Sequence, residues 1–395
     1  MKPVPYYVLA LAMAVPAILV GLELPTWFSL RSQSLALESD FRVFYTPGYM
    51  LRTGQRKDVY DFSAIRRNQN EKVAADGAAV PFVHPAYEAV FFIPLSFLPY
   101  GAAYVVWVGV NFVILGLTYF LLRPCLAGLS AIGPPWIAPA LLIGFMPIAF
   151  AILEGQDSLF LLLILVLVYR RVESNELQAG LLLSLGMFRF QVLLPIVALF
   201  LLWRSLKFVV GWIAGSAVVL GVSVLITGVA AEIQYARLLH ALGAASSSWL
   251  LLRRMPNLRG FFTACDFGMV PLVLASLCVF LVAAVIGTRQ NAQQKLLVAV
   301  SVSTLIPFYL FLHDLSVLAL PVLLAINESV ARRHWLGAAV ASAALSAFSV
   351  FWVARDKFYL GALFTLFLFA IQVTRLWEQR KGIKMPEKIS VMASV

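Results

Sequence analysis

The sequence predicts an all-α polytopic membrane protein, a bundle of about twelve transmembrane helices with a long first extracytoplasmic loop that bears interfacial helices. Three observations carry that expectation. Of 395 residues, 62% are hydrophobic and only 12% charged, where a soluble domain is normally about a quarter charged. Apolar runs of around 20 residues recur along the chain, long enough to cross a hydrocarbon core of about 30 Å. The basic residues behind the net charge of +11 stand singly or in pairs between those runs, as charges that orient a membrane protein do. No basic stripe of the kind that nucleic-acid binding needs is present, so no nucleic acid is expected as a partner.

Met1-Lys2-Pro3 precedes an apolar run from about Tyr6 to Leu24. The run lacks a clear small-residue cleavage site and reads as an uncleaved first span, with Lys2 inside. Residues 25–100 make the first outer loop and a rim helix. Phe41 to Leu51 and Ser63 to Ala75 suit short helices along the interface, their apolar side to the lipid, and Gly54-Gln55-Arg56-Lys57-Asp58 suits the turn between them. Ala86 to Pro99 is apolar but punctuated by Pro94 and Pro99; it reads as a helix packed at the rim or re-entering. Gly101–Leu122 crosses, ended by Arg123-Pro124.

Further spans are expected at about Pro135–Leu153, Ser158–Tyr169, Leu177–Phe188, Val192–Trp203, Phe208–Thr227, Met269–Gly287, Leu296–Leu312, Leu315–Ile326, Leu336–Val353 and Phe358–Leu376. Several are shorter than about 17 residues and are expected to bend or to be partly buried. Residues 228–268 form a second large outer loop, residues 1–376 a single transmembrane domain, and 377–395 a cytoplasmic tail. Both termini lie inside, in the plasma membrane of a bacterium. Inner basic residues such as Arg170, Arg171, Arg332 and Arg333 outnumber outer ones such as Arg253 and Arg254 about two to one, which supports this orientation. Cys125, Cys265 and Cys278 show neither metal spacing nor a disulfide framework. Cys278, inside a span, reads as a buried small apolar residue.

With that topology four polar signatures at span ends reach the outer face: Glu38-Ser39-Asp40, Glu154-Gly155-Gln156-Asp157, Arg189-Phe190-Gln191 and His313-Asp314. That is more than solvation requires. Asp40 or Glu38 is either a hydrated loop acid at a helix start or a general base whose pKa is tuned by the apolar Phe41, Phe44 and Tyr45. His313-Asp314 either turns a hairpin or binds a phosphate and shuttles a proton, and His84 before Pro85 has the same two readings. Arg189, in an apolar context, either snorkels to headgroups or presents its planar fork to a phosphate. Gln156 is a helix-end polar residue or a partner for a sugar hydroxyl. No cofactor and no metal site is expected: a divalent ion near Asp40 and His84 is chemically conceivable, but no metal-ligand spacing supports it. No nucleotide-binding motif is present.

The ordered set of these pieces resembles glycosyltransferase family 87, membrane enzymes of the GT-C type that include mannosyltransferases using polyprenyl-phosphate mannose. The matching residues are Asp40-Phe41, Phe44-Tyr45, Gly54, Val59-Tyr60-Asp61, His84-Pro85 with Pro94 and Pro99, Trp107, Asn111, Gly155-Gln156, Gly180, Arg189, Gln191, and His313-Asp314 with Pro321. Each is weak alone; order and spacing carry the likeness, to about Ala325. The sequence departs from the family pattern at Arg189-Phe190-Gln191, where Lys-Pro-Gln is commoner, at Val83-His84-Pro85-Ala86, where Tyr-Pro-Pro is often found, and at His313, where a Tyr commonly precedes the Asp. The resemblance implies a GT-C-type bundle and an inverting transfer of a hexose, mannose among the candidates, from a polyprenyl-phosphate sugar to a lipid or glycan hydroxyl. Asp40 would be the catalytic base. Arg189 and His313 would bind the donor phosphate, and His84, Gln156, Gln191, Asp314 and Tyr45 would contact substrate. The rival class is a lipid or sugar transporter or flippase, but no inverted repeat is evident and the charges sit at span ends rather than at mid-membrane.

Overall fold

The computed structural model describes residues 6–29, 39–75, 79–245, 252–333 and 357–380, together with 338 and 342. Glu38, most of the expected span Leu336–Val353 and the end of the tail lie outside the described residues. Within them all regular structure is helical. Helix α1 (Tyr6–Ser29) leads to the first loop, which carries α2 (Arg42–Arg52) and α3 (Phe62–Lys72). The rim follows as α4 (Ala86–Ala89) and two 3-10 turns, then α5 (Tyr100–Leu122), α6 (Ala127–Ile132), α7 (Ile137–Ile143), α8 (Met146–Leu153), α9 (Ser158–Val172), α10 (Glu176–Ser184), α11 (Phe190–Leu202) and α12 (Leu206–Thr227). The second long connection holds α13 (Val229–Ala245) and α14 (Leu258–Ala264); α15 (Met269–Gly287), α16 (Ala292–Leu305), α17 (Ala319–Ala331) and α18 (Gly361–Arg380) complete the bundle.

Five described segments are long and apolar enough to cross a membrane: Tyr100–Cys125, Leu206–Thr227, Met269–Gly287, Leu312–Ala331 and Phe358–Glu378. A sixth arises if α10 and the helix Met187–Leu202, bent by 70° at their junction, count as one. Their outward residues, among them Val105, Val113, Phe120, Val218, Leu225 and Val270, are exposed, an apolar surface suited to lipid. Of the other expected crossings, the first is an unbroken helix of 24 residues, Leu336–Val353 lies mostly outside the described residues, and the rest are broken or short. Pro135–Leu153 divides at Gly144-Phe145 into α7 and α8 of 7 and 8 residues; Pro147 opens the second helix, because its ring clashes with a continuing one.

The segment Leu312–Ala331 is the interior of the bundle, 78% of its apolar window being buried against 17% for Met269–Gly287. Close pairing of α10 with α12 depends on small residues. A Cβ on Gly180 would overlap the Phe208 carbonyl, and one on Gly211 the Leu177 carbonyl, the arrangement by which small residues let membrane helices approach.

The first loop follows the sequence in its helices but not in their orientation. Phe41, Phe44, Tyr45 and Met50 do not face lipid. They are buried with Tyr60, Phe82, Phe92, Tyr100, Tyr104 and Trp107 in an aromatic core of their own. Gly48 lies so close to the Phe92 backbone that an added Cβ would sit 2.7 Å from its carbonyl carbon, and Arg52 Nε donates to Ser96 Oγ at 2.9 Å. Packing against the rim buries more aromatic area than a membrane surface offers to one side of a three-turn helix, so the loop folds inward. Cys278 also differs from expectation: it is exposed, on the outward side of α15.

Candidate functional site

The floor of the site is the turn between α8 and α9. Gly155 adopts φ +63, a left-handed conformation natural to glycine, and a Cβ there would stand 2.7 Å from that of Phe41. Helix α5 pins this turn from beneath: Tyr104 Oη donates to the Leu153 carbonyl at 2.7 Å and Trp107 Nε1 to the Gly155 carbonyl at 2.8 Å. Phe41 stacks on Trp107. The residue before Phe41 is thereby delivered to the turn, and Gln156 Nε2 donates to Asp40 Oδ2 at 2.7 Å.

The other end of the Gln156 amide points inward, where Oε1 accepts from Arg189 Nη2 at 2.6 Å. Arg189 stands at the break of the bent span, held by Tyr87, whose hydroxyl donates to the Leu185 carbonyl and accepts from the Phe188 N–H. Its guanidinium is buried and engages two further acids. Nε donates to Asp157 Oδ1 at 3.1 Å, Nη2 approaches the same oxygen, and Nη1 lies 3.4 Å from Asp314 Oδ1. Asp157 occupies the N-cap position of α9, yet its side chain makes no cap hydrogen bond; the arginine has claimed it. Asp314 accepts from the Phe311 N–H at 2.9 Å and from Ser158 Oγ at 3.4 Å. His313, buried beside it, has Nε2 3.7 Å from Asp314 Oδ1.

A second arm leaves Asp157 through its other oxygen. His84 Nδ1 lies 3.7 Å from Asp157 Oδ2 and 2.8 Å from Glu88 Oε2. All three residues are at least nine-tenths buried. Phe44 and Phe82 flank the His84 ring, and Tyr60 Oη donates to the His84 carbonyl at 3.0 Å. These groups lie outside the segments long enough to cross a membrane, and burial dominates their protonation. Burial pushes the Glu88 carboxyl up to about 7, against the lowering effects of Asp157 and Arg189. It pushes Asp157 to about 7 as well, against the Arg189 charge. The His84 imidazole is lowered to about 4 by burial, against the Asp157 charge.

The fold therefore gathers Asp40, His84, Gln156, Arg189, His313 and Asp314, which the sequence reading singled out, into one contiguous network. It places two of the expected residues apart from it. The Tyr45 hydroxyl donates to the Leu98 carbonyl at 2.8 Å and its ring packs on Tyr100. Gln191 is half-buried in the first turn of α11, and no hydrogen bond ties it to the network among the described residues. Two members were not singled out, Glu88 and Asp157. The signal for Glu88 was a lone acid in an apolar rim, four residues after His84; Asp157 stood in the polar signature Glu154-Gly155-Gln156-Asp157 but was given no role there.

Chemically, an acid at the mouth, partly buried and held by an amide, can accept a proton from an incoming hydroxyl. The buried acids behind it fix the amide through a single guanidinium. The family model described as glycosyltransferase family 87 matches residues 82–313, a stretch that includes His84, Glu88, Gln156, Asp157, Arg189 and His313 but ends before Asp314 and starts after Asp40. No curated protein and no solved structure matches the chain.

Proposed function

The chain belongs to glycosyltransferase family 87, and from that premise we propose that it moves a hexose, mannose among the candidates, from a polyprenyl-phosphate sugar to a hydroxyl of a lipid or glycan acceptor, with inversion at the anomeric carbon. The observation that supports this most is the hydrogen bond from Gln156 to Asp40, which aims a carboxylate out of a buried polar network at the end of an apolar bundle. In the proposed step Asp40 takes the proton of the acceptor hydroxyl as its oxygen forms a bond to the anomeric carbon. The bond from that carbon to the phosphate oxygen breaks, and the lipid phosphate leaves with the electron pair. Gln156 is a positioning residue for Asp40. Arg189 holds Gln156 in turn, and since Asp157 and Asp314 already engage its guanidinium, its role at the donor phosphate is shared with His313, whose Nε2 has no hydrogen-bond partner. His84, Gln191, Asp314 and Tyr45 remain proposed as substrate-side residues, Tyr45 and Asp314 through the walls they build.

We place the reaction on the outer face of the plasma membrane, with both termini inside. The direct test is to incubate the purified protein with a panel of polyprenyl-phosphate sugars and candidate acceptors, and to determine product mass and anomeric configuration. Turnover of one donor with inverted configuration is expected; a retained configuration would remove the single-base mechanism, and no turnover with any lipid-phosphate sugar would remove the donor class. For sidedness, Lys57→Cys in a cysteine-free background should react with an impermeant thiol reagent in intact cells. Labelling only after lysis would reverse the orientation.

A further inference from the structure

The acids of the network outnumber its cations. Asp157 and Asp314 engage the Arg189 guanidinium directly, Asp40 reaches it through Gln156, and Glu88 stands behind His84 with no guanidinium or ammonium bonded to it among the described residues. Arg189 takes Asp157 through Oδ1. Asp157 Oδ2, both Glu88 oxygens and His84 Nδ1 are buried and face only one another, with no hydrogen bond to a group outside these three residues. Buried polar atoms are ordinarily satisfied, and these four converge on one point. The three donor groups lie within 4.8 Å of one another. Two metal ligands at about 2.1 Å from a tetrahedral ion stand about 3.4 Å apart, and the distances from His84 Nδ1 to Glu88 Oε2 and Asp157 Oδ2, 2.8 and 3.7 Å, bracket that value.

We propose that His84, Glu88 and Asp157 bind a divalent transition-metal cation such as Mn2+ or Zn2+. One imidazole with two carboxylates suits these ions better than Ca2+, which takes 6–8 oxygen ligands, or Mg2+, which keeps its waters. The remaining coordination positions are open to an oxygen anion. Resting on the glycosyltransferase reading, the ion supplies the positive charge that a leaving lipid phosphate needs beside an acid-rich floor. Its own existence rests only on the donor set.

The experiment uses the full chain, purified, stripped with a chelator and reconstituted in phosphatidylcholine nanodiscs, with Mn2+ as probe. Titration followed by electron paramagnetic resonance should show one tightly held Mn2+ per chain, and pulsed spectra of the loaded wild type should show nitrogen coupling from the His84 imidazole. Glu88→Gln should weaken Mn2+ binding by more than about tenfold, while Asp40→Asn leaves it intact. No saturable Mn2+ binding to the wild type, with Zn2+ also failing to bind in competition, overturns the site and assigns the cluster to a proton shared by Glu88 and Asp157. Binding without nitrogen coupling, or binding unchanged in Glu88→Gln, overturns it too, as adventitious metal only. Because wild-type binding is read without substrate, sugar transfer that persists in excess chelator removes the catalytic role, and saturable binding without transfer from any donor removes the enzymatic reading alone.

Discussion

Two polar regions lie at opposite ends of α9, the far one half-buried and the near one buried, and they are built on different principles. At the far end Asn327 Nδ2 donates to the Cys125 carbonyl while its Oδ1 accepts from the Leu129 N–H. Gln293 Nε2 donates to the Tyr169 carbonyl, and Arg375 donates to Ser329 Oγ and to the Ala325 carbonyl. Around them is a cavity of about 260 Å3 lined in part by Cys125, Tyr169, Asn327 and Arg375. Those polar groups find backbone partners, which is how a fold ties helix ends together. At the near end acids face acids, and one guanidinium serves three neighbours. Such an arrangement is a poor way to stabilise a bundle, and the contrast supports putting the proposed chemistry at the near end.

The largest expected break in this comparison is Asp40→Asn, which removes the base and should lower transfer by about 10²–10⁴-fold with the thermal midpoint unchanged. A variant that keeps wild-type transfer in a rate assay would dissolve the distinction between the two ends. Gln156→Leu should lower the rate by on the order of 10²-fold through a misplaced Asp40, acting on kcat more than on KM; an effect confined to KM would make Gln156 a plain binding residue. Asn327→Ala should do the reverse, giving up about 1–3 kcal/mol of stability in a denaturation assay while transfer by the folded fraction is retained.

The smallest effect is on pH. Glu88 and Asp157 have folded values of about 7, above their ordinary 4.5 and 3.8, so the stability they contribute is whole at low pH and is lost as pH rises through about 7. His84, lowered from 6.5 to about 4, works in the other direction, losing its contribution as pH falls below 6.5 towards 4. Between about pH 4.5 and 6.5 the two carboxyls outweigh the one imidazole, and from 6.5 to about 7 they act alone. In chelator, the thermal midpoint should therefore fall as pH rises from about 4.5 to about 7 and level off above it, and Glu88→Gln should flatten that slope. A midpoint that rises over this range would contradict the burial of the two acids.

Much of the near end was legible in the sequence because it is written in residue types. Asp40, His84, Gln156, Arg189 and His313-Asp314 stand out against apolar surroundings, and polar groups at span ends have few reasons to be there. The helices of the first loop were legible too, from their apolar pattern and the turn at Gly54-Gln55-Arg56-Lys57-Asp58; the Asp61 cap, whose side chain accepts from the Ser63 N–H, was not read. Which way those helices face was not, since Phe44 pointing to lipid and Phe44 stacked on Phe92 share one local pattern. The division of long apolar runs was equally hidden: Pro147 can start a helix or kink one, and only packing against α1 decides. Glu88 shows the general limit. Its role comes from His84 and from Asp157, far along the chain, and periodicity holds no record of so distant a neighbour.

The network draws on five separate stretches of chain, from Asp40 through His84 and Glu88, Gln156 and Asp157, and Arg189 to Asp314. A nascent chain that has not yet reached residue 314 lacks a member of the site. Until Arg189 has been made, the acids before it have no guanidinium to close on. The network can therefore be complete only after residue 314 has been made and the interior segment Leu312–Ala331 has joined the bundle.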